Sequence, residues 1–305
     1  MIILYKRGIF LFFAGSRMLK NEFTIKRISR FTSTTFVQQY HYSPVVPAIT
    51  KYHLGFYLGN KLVGVVTLGY GTRPRHTLNK IFPVLKNNTS TEVSEFYIEI
   101  GKMCFSPELN GDRNSGSKII SLLIQWMRTN TRCLFLYTLS DGIMGKCGYV
   151  YQSSNFLYGG KYWTDVYMME NGEKLHPRSC KELCKENLEW EQNRNNNFVK
   201  NDLSRFTHDW MLEKGITHYK GYMFRYIYPL HKRSLNFLIN YSSMEWTKNY
   251  PKDNELKWRN IGTKTNVLSA PFPEHSSIDV IYNLKNVEQH KTPLNLLNKF
   301  IPKGI

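Results

Sequence analysis

Apolar and polar residues alternate along this chain with two periods, one typical of strands and one typical of helices. The apolar runs on either side of Gly59-Asn60 predict a β-hairpin with a tight turn. Residues Lys118–Arg128 carry apolar side chains at helical spacing and follow a polar turn at Asn110–Ser117. The apolar run that starts at Cys133 predicts a buried strand, which a βαβ crossover would place parallel to the strand before the helix.

Together these patterns predict a mixed α/β domain. Strands are expected at Lys20–Arg30, His53–Leu58, Lys61–Gly69, Phe96–Phe105, Cys133–Leu139, Tyr162–Met169 and Lys220–Pro229, and helices at Thr32–Tyr40 and Lys118–Arg128. Between them we expect a glycine-rich basic loop at Gly69–His76, a polar excursion at Thr77–Val93 and a charged, partly helical segment at His176–Phe206.

The two ends of the chain differ from this central part. Residues 1–17 hold an apolar run too short to span a bilayer, which needs roughly 20 residues, so we interpret them as a leader or an upstream extension before Met18. From about Tyr241 the apolar periodicity becomes sparse and prolines recur. We therefore expect one domain over residues 18–235 and a C-terminal extension over 236–305 that covers the domain or is partly disordered.

The charge of the chain narrows the choice of partner. The 305 residues carry a formal net charge of +18, with a pI near 9.6. Such an excess is expected of a protein that binds nucleic acid or an anionic surface, although a basic surface can also serve solubility alone. Aromatic residues make up 14% of the chain, and their mixture with basic residues favours a partner that has both phosphates and flat bases.

The cysteines predict no special chemistry. There are five, with no CxxC pair and no zinc spacing with histidines. Cys180 and Cys184 stand four residues apart on an expected helix, a spacing more typical of packed thiols than of metal ligands. We expect a reducing compartment and no disulfide framework.

Candidate chemistry gathers in the stretch Leu139–Tyr158. Asp141 follows the buried strand, where α/β sheets collect ligand-binding groups, and can serve as a metal ligand, a general base or the cap of the next turn. The residues that stand out after it are Tyr149, Tyr151, Asn155 and Tyr158. Their rings either pack a small core or bind something flat.

A second candidate is the segment Tyr40-His41-Tyr42-Ser43, which places an imidazole between two phenols ahead of two prolines. Histidine titrates near neutrality and is a common ligand for iron, zinc or copper, but a lone histidine also packs as an ordinary polar group.

A third candidate is the start of the second helix. Backbone N–H groups near Asn114–Ser117 can hold an anion such as pyrophosphate or coenzyme A, although an ordinary helix start explains the same pattern. The basic residues that we expect to contact phosphates, or otherwise to be solvated, are Arg73, Arg75, His76, Lys118 and Arg128.

Several of these motifs, in this order, resemble the Mom family of phage DNA-modification proteins. The matching segments are His41-Tyr42-Ser43 with Pro47, Leu62–Gly69, Ile98–Lys102, Asn114–Ser117, Ser140-Asp141, Gly148–Tyr158 and Tyr222–Tyr228. Together they span about residues 36–230. The segments at His41 and at Gly148–Tyr158 are fairly specific for the family, whereas the turn at Asn114–Ser117 is not.

The resemblance implies a GNAT-like α/β fold, with a mixed central sheet flanked by helices and followed by the C-terminal extension. It implies an enzyme that converts adenine in duplex DNA to a carbamoylmethyl form at N6, which evades host restriction in the cytoplasm of an infected cell. The implied cofactors are an acetyl-CoA-like acyl donor and iron, and no membrane partner is implied.

The family's functional residues carry over onto matching positions. The catalytic set would be His41, Tyr42, Asp141 and Tyr151, with Tyr57 as a further member, and His41 and Asp141 would bind the iron. From the residues themselves, we expect the donor to bind at Arg113, Asn114, Ser115, Gly116 and Ser117, and DNA to bind at Arg73, Arg75, Tyr149, Asn155 and Tyr158. The donor turn lacks the usual glycine-rich pyrophosphate pattern, of which Arg113 and Gly116 are the remnants, and this departure weighs against coenzyme A.

Two other functions remain open from the residues alone. A GNAT enzyme that acylates a small amine or a protein would share the fold but would not need such positive charge. A non-catalytic DNA-binding protein would need the charge but not Asp141 and His41 at the ends of a strand and a loop. An enzyme that acts on a paired base must extrude it onto aromatic side chains, and a basic surface supports that step.

Overall fold

The structure, a computed structural model, describes residues 23–42, 46–47, 49–71, 74–85, 96–109, 114–168, 174–175 and 215–267. Its strands are β1 (Phe23–Arg27), β2 (Thr50–Leu58), β3 (Lys61–Gly69), β4 (Tyr97–Phe105), β5 (Phe135–Asp141), β6 (Leu157–Met168), β7 (Lys174–Leu175), β8 (Thr217–Pro229), β9 (Trp258–Asn260) and β10 (Asn266–Val267). Its helices are α1 (Arg30–Tyr40), α2 (Pro74–Ile81), α3 (Ser115–Asn130), α4 (Tyr149–Ser153) and α5 (Lys232–Tyr241).

These strands form one mixed sheet in the order β1-β2-β3-β4-β5-β8-β6-β7, with β9 on β8 and β10 on β9. Of these pairs, only β4 and β5 run parallel, and α3 connects them. The hairpin of β2 and β3 turns at Gly59, whose φ of +60° is accessible to glycine at little cost. The mixed sheet, the hairpin and the βαβ crossover predicted from the sequence are confirmed.

The helices cover both faces of the sheet. On one face, Ile119, Leu123 and Met127 of α3 pack on Leu136 of β5 and Phe224 of β8. Two clusters of buried residues lie on the other face. One packs α2 and α5 on the sheet and includes Leu78, Phe82, Phe135 and Leu238. The other packs α1 on the sheet and includes Phe36 and Val65. Because side chains alternate along a strand, every central strand contributes to both cores.

One prediction about the elements is wrong. The segment expected to be a basic loop and a polar excursion contains helix α2, followed by a turn of 3-10 helix at Pro83–Leu85. Leu78, Ile81, Phe82 and Leu85 are all buried, and their spacing is that of one helix face. The apolar period of this segment therefore outweighs its polar composition.

Other elements begin or end elsewhere than expected. Strand β6 starts at Leu157 rather than Tyr162, and α3 starts at Ser115 rather than Lys118. The helix expected from Thr32 starts at Arg30, where the hydroxyl of Ser29 accepts the amide of Thr32 at 3.0 Å. The expectations for residues 1–17 and His176–Phe206 lie outside the described residues.

Candidate active site

The sheet opens between β4 and β5, and the candidate site lies at this opening. The two strands pair only from Tyr97 with Phe135 to Glu99 with Tyr137. Immediately beyond, a register shift on β4 at Gly101 interrupts its pairing with β3. A bulge bends the strand that carries it, so β4 diverges from β5 here. Side chains from both faces of the sheet can meet at such an opening.

Tyr42 and Asp141 meet at this point from distant parts of the chain. Helix α1 ends at Tyr40, and His41 adopts an extended conformation that carries Tyr42 toward the end of β5. The Tyr42 hydroxyl donates to Oδ2 of Asp141 at 3.2 Å, and Oδ1 of Asp141 accepts the amide of Ile143 at 3.2 Å. Asp141 thus both caps the turn after β5 and orients the phenol.

The environment of Tyr42 keeps its hydroxyl protonated. Burial raises its pKa well above the usual value, and the negative charge of Asp141 raises it further. The Tyr42 ring stacks on the His41 ring, with 4.4 Å between the two ring centroids. The ammonium of Lys146 lies 5.0 Å from the centroid of the Tyr42 ring. The Tyr42 side chain is therefore a protonated phenol that donates a hydrogen bond, and not a phenolate.

Tyr151 reaches the same opening from the α3 face. It lies on α4, is 8% exposed and packs against Phe156 and Tyr226. Burial raises the pKa of its hydroxyl, the neighbouring Thr138 side chain of β5 lowers it, and the charge of Glu99 raises it. Tyr151 also contributes to the raised pKa of Tyr42, so the two phenols share one electrostatic environment.

Glu99 is a site residue that the sequence analysis did not single out. It lies on β4 at the last pair before the opening, and burial raises its pKa to about 7. The turn at Gly71 lies directly on its carboxylate, since a Cβ there would overlap Oε2. The signal was present in the sequence: Glu99 is the one acidic residue of the apolar strand FYIEIGKMCF. A carboxyl group with this pKa can accept or release a proton near neutrality.

The expected iron site gains no support from the geometry. His41 stacks on Tyr42, and Asp141 accepts its hydrogen bond from that same phenol. Across the described ranges, no three His, Cys, Asp or Glu side chains come together as metal ligands. Iron sites of the His and carboxylate type use three such ligands, so the residues seen here do not fit one.

The expected donor-binding turn forms the start of α3. Asn114 precedes the helix, Ser115 is buried, and the Ser117 hydroxyl donates to the Asn114 carbonyl at 3.0 Å. Gly116 packs against Val150 of α4, because a Cβ at Gly116 would lie 2.8 Å from a Val150 methyl group. Arg113 lies outside the described residues.

The expected DNA-binding residues fall in different environments. Tyr149 is 51% exposed, and Asn155 is exposed with a φ of +61°. Tyr158 instead packs against Tyr226 and pairs through its backbone with Thr247, and burial raises its pKa to about 12. The tyrosine-rich stretch is therefore partly core and partly surface. Arg73 and the side chain of Arg75 lie outside the described residues.

The other expected residues are not part of this cluster. The ring of Tyr57 lies on β2 against the ammonium of Lys26, at 5.2 Å. The guanidinium of Arg128, at the end of α3, donates to the carbonyl of Leu230 at 2.7 Å. None of the helices within the described ranges is long and apolar enough to cross a membrane.

Comparison with solved structures finds GNAT enzymes. Spermidine N-acetyltransferase from Vibrio cholerae is 10% identical, with a TM-score of 0.34, over 70% of this chain and 98% of that one. The polyamine N-acetyltransferase of Drosophila melanogaster is 8% identical, with a TM-score of 0.30, over 68% of this chain and all of that one. Similarity this low carries no inference about the site.

Comparison with known sequences is more specific. Over 156 residues the chain is 28% identical to the methylcarbamoylase Mom of Escherichia phage Mu, a match that covers 51% of this chain and 60% of that protein. The profile of the Mom protein family matches residues 22–252, which include α1 to α5 and the Tyr42–Asp141 pair. Because this match covers most of the chain, the chain belongs to the Mom protein family.

Proposed function

We propose that this protein modifies a base in duplex DNA, transferring a small acyl-derived group of the carbamoylmethyl type to N6 of a flipped-out adenine. Family membership supports a DNA-modification activity, and the matched relative is a methylcarbamoylase. The observation that carries the proposal is the meeting of Tyr42, Asp141, Tyr151 and Glu99 at the opening of the sheet. As a phage product of this kind, it would protect phage DNA from restriction inside the infected cell.

The four residues have distinct roles in this proposal. The amine nitrogen forms its new bond to the donor carbon as the bond between that carbon and its carrier breaks, and the carrier leaves with the bonding electrons. The nitrogen also loses a proton, which Glu99 accepts because its pKa is about 7. In the structure the single O–H of Tyr42 donates to Asp141, and during the reaction it would turn to donate to the atom that gains negative charge. Tyr151 supports the same charge from the opposite face of the sheet.

The proposed DNA contact follows from charge and exposure. Flipping a base out of the stack costs a few kcal/mol, which phosphate contacts and stacking on an aromatic ring can offset. The net charge of +18 supplies the phosphate contacts, and the exposed Tyr149 ring is a candidate stacking surface. Asn155, also exposed, lies six residues after it.

The proposed donor is a small molecule of the acetyl-CoA type. Its anionic part would bind the amide groups at the start of α3, Asn114 to Ser117, where the helix dipole favours negative charge. Its reactive end would then extend into the opening between β4 and β5. A donor of this type, when bound, would supply a thioester as the activated group and leave as free coenzyme A.

The proposal is tested by expressing the chain in a bacterial host and measuring the nucleosides of its DNA by mass spectrometry. We expect a modified deoxyadenosine with wild type, and at least a hundredfold less with Asp141→Asn, while duplex DNA binding is retained. Asp165→Asn is the matched control, because Asp165 is half-exposed and, among the described residues, its ion pairs are those with His218 and Lys220 on β8. Unmodified DNA with wild type, or full modification with Asp141→Asn, would contradict the proposal.

A further inference from the structure

The buried guanidinium of Arg225 lies in the middle of the sheet, away from the residues considered so far. Arg225 is 8% exposed and pairs with Leu139 of β5. On its other side, the register shift between Tyr158 and Lys161 of β6 leaves Gly159 opposite Arg225. Alternation along β8 places its side chain on the face opposite α3, since Phe224 and Tyr226 both pack in the α3 core.

On this face, polar side chains line up across neighbouring strands. Glu99 of β4 pairs with Tyr137 of β5, and Tyr137 pairs with Ile227 of β8, two residues from Arg225 on the same face. The Arg225 guanidinium lies 4.3 Å from the ring centroid of Tyr162 on β6. This row of four residues, Glu99, Tyr137, Arg225 and Tyr162, is called the polar row below. The polar row begins at Glu99, the proposed base, and crosses the sheet from β4 through β5 and β8 to β6.

The charge of Arg225 has no carboxylate partner in the described part of the chain. Every ion pair found there involves other side chains. Among the described residues its hydrogen-bond acceptor is the carbonyl of Gly159, which lies at 3.5 Å and is therefore weakly bound. A guanidinium has five N–H donors, and the other nitrogens of Arg225 are not among the fully buried atoms that lack a partner, so they are accessible to solvent or to a bound anion. The ion pairs of the described residues include none between Glu99 and Arg225.

A cation that is only 8% exposed and has no carboxylate partner in the described residues is well placed to bind an anion. The planar fork of a guanidinium matches a carboxylate, with which it forms two parallel hydrogen bonds. The rings of Tyr137 and Tyr162 lie on the same face as the fork, and the crowding by two rings favours a small planar anion. A phosphate of the duplex backbone is bulkier and is tied to a polymer that contacts the protein surface.

We infer that Arg225, with Tyr137 and Tyr162, binds a carboxylate group of the small-molecule substrate that supplies the transferred group. The inference rests on the proposed function for the identity of that substrate as a donor. The binding of a carboxylate to the protein can be measured whether or not the proposed function is correct. The substrate class is thus narrowed to molecules that present a free carboxylate a short distance from the reacting carbon.

The test is direct binding of small anions to the purified full chain at constant ionic strength. The probes are acetate, glycine and malonate, with inorganic phosphate for comparison, and the readouts are calorimetric titration and the shift in melting temperature. We expect at least one carboxylate to bind wild type saturably and more tightly than phosphate. Arg225→Gln should weaken that binding roughly ten- to hundredfold, as expected for a hydrogen bond to a charged group.

Control variants separate this role from a structural one. Arg259→Gln removes an exposed arginine on β9 and should leave carboxylate binding unchanged. Arg225→Lys keeps the charge but loses the fork, so it should fold and bind the carboxylate at least threefold more weakly. If Arg225→Gln does not fold, the carboxylate affinities of wild type and Arg225→Lys are compared instead, and that comparison decides whether Arg225 binds the carboxylate.

Three results would overturn the inference: carboxylates that do not bind wild type, equal binding by wild type and Arg225→Lys, or phosphate binding more tightly than every carboxylate. Its failure is distinguishable from failure of the proposed function by nucleoside mass spectrometry on the same variants. Modified DNA without carboxylate binding rejects the inference alone. Carboxylate binding through Arg225 without modified DNA rejects the function alone.

Discussion

At the scale of single residues, the carboxyl group of Glu99 makes the stability of the protein depend on pH. Its pKa is about 7 in the folded chain against a usual value of 4.5, so the folded state favours the protonated form. The stabilising contribution of Glu99 is therefore complete below about pH 4.5 and is lost as the pH rises through about 7.

This behaviour predicts the effect of Glu99→Gln on unfolding. Relative to the variant, wild type should lose up to roughly 3 kcal/mol of unfolding free energy between pH 4.5 and pH 7.5. Urea unfolding of both proteins across this range measures the difference, and comparing the two removes the contribution of other titrating groups. A difference that does not change with pH would contradict the raised pKa of Glu99.

Two glycines allow the position of the Glu99 carboxylate to be tested without changing Glu99. Gly71 and Gly59 both have a left-handed conformation, with φ of +69° and +60°. A Cβ at Gly71 would overlap the Glu99 carboxylate, whereas a Cβ at Gly59 meets nothing within 4 Å. Both Ala variants should lose about 1 kcal/mol of stability from backbone strain.

Only Gly71→Ala should also change the site, because the carboxylate must move away from the new methyl group. We expect it to lower DNA modification at least tenfold in the nucleoside assay, with Gly59→Ala close to wild type. Equal activity of the two variants would show that the position of Glu99 is unimportant for the reaction.

The residues of the site differ in how far the sequence predicts them. Asp141 and Tyr151 follow a recognisable buried strand, and Tyr42 follows a helix that ends before two prolines, so all three were predicted. That Tyr42 donates to Asp141 depends on a contact across 99 residues, which no local pattern contains. Glu99 and Arg225 lie inside strands, where polar residues alternate as ordinary solvent-facing positions do, so only the fold reveals that Arg225 is buried and Glu99 partly buried.

At the scale of elements, helix α2 shows where the sequence analysis was wrong. Its polar residues and flanking glycines suggested a loop, yet Leu78 and Ile81 are 1% and 2% exposed in the core beside Phe135. By contrast, the hairpin, β4, α3 and β5 were predicted correctly, because their apolar runs are longer and match one period throughout. Short amphipathic helices leave a weaker signal.

The packing of α2 predicts that substitutions on its buried side cost much more stability than substitutions on its exposed side. Leu78→Ala should destabilise the protein by about 2–5 kcal/mol, since it leaves a cavity in a closed core. His76→Ala, on the exposed side of the same helix, should change stability by less than about 0.5 kcal/mol. Thermal and urea unfolding measure both variants, and equal effects would mean that α2 does not pack on the sheet as described.

At the scale of the whole molecule, residues beyond the expected domain boundary at 235 hold the candidate site in place. The indole of Trp258 donates to the carbonyls of Gly142 and Ile143, directly after Asp141. Tyr250 donates to the carbonyl of Phe156, and Lys161 pairs with Glu255 at 2.7 Å. Sparse periodicity hid this role, because isolated aromatic anchors in an irregular segment produce no repeating pattern.

The net charge is also a property of the whole molecule, and it predicts how DNA binding depends on salt. Each phosphate neutralised by Lys or Arg releases a counterion, so affinity falls with a slope of about −0.9 per phosphate on logarithmic axes. With a charge of +18 the protein should neutralise at least about four phosphates, and its affinity for duplex DNA should then fall roughly a hundredfold between 50 and 200 mM salt.

Fluorescence anisotropy with a labelled duplex measures this slope, and Asp141→Asn is the informative companion variant. Asp141 acts in the proposed chemistry and not in phosphate contact, so the variant should show the same slope as wild type while lacking modification. A slope near zero would mean that the basic residues serve solubility alone. The site residues themselves would then have to bind the DNA, and a weakly basic protein of the same fold would bind DNA equally well.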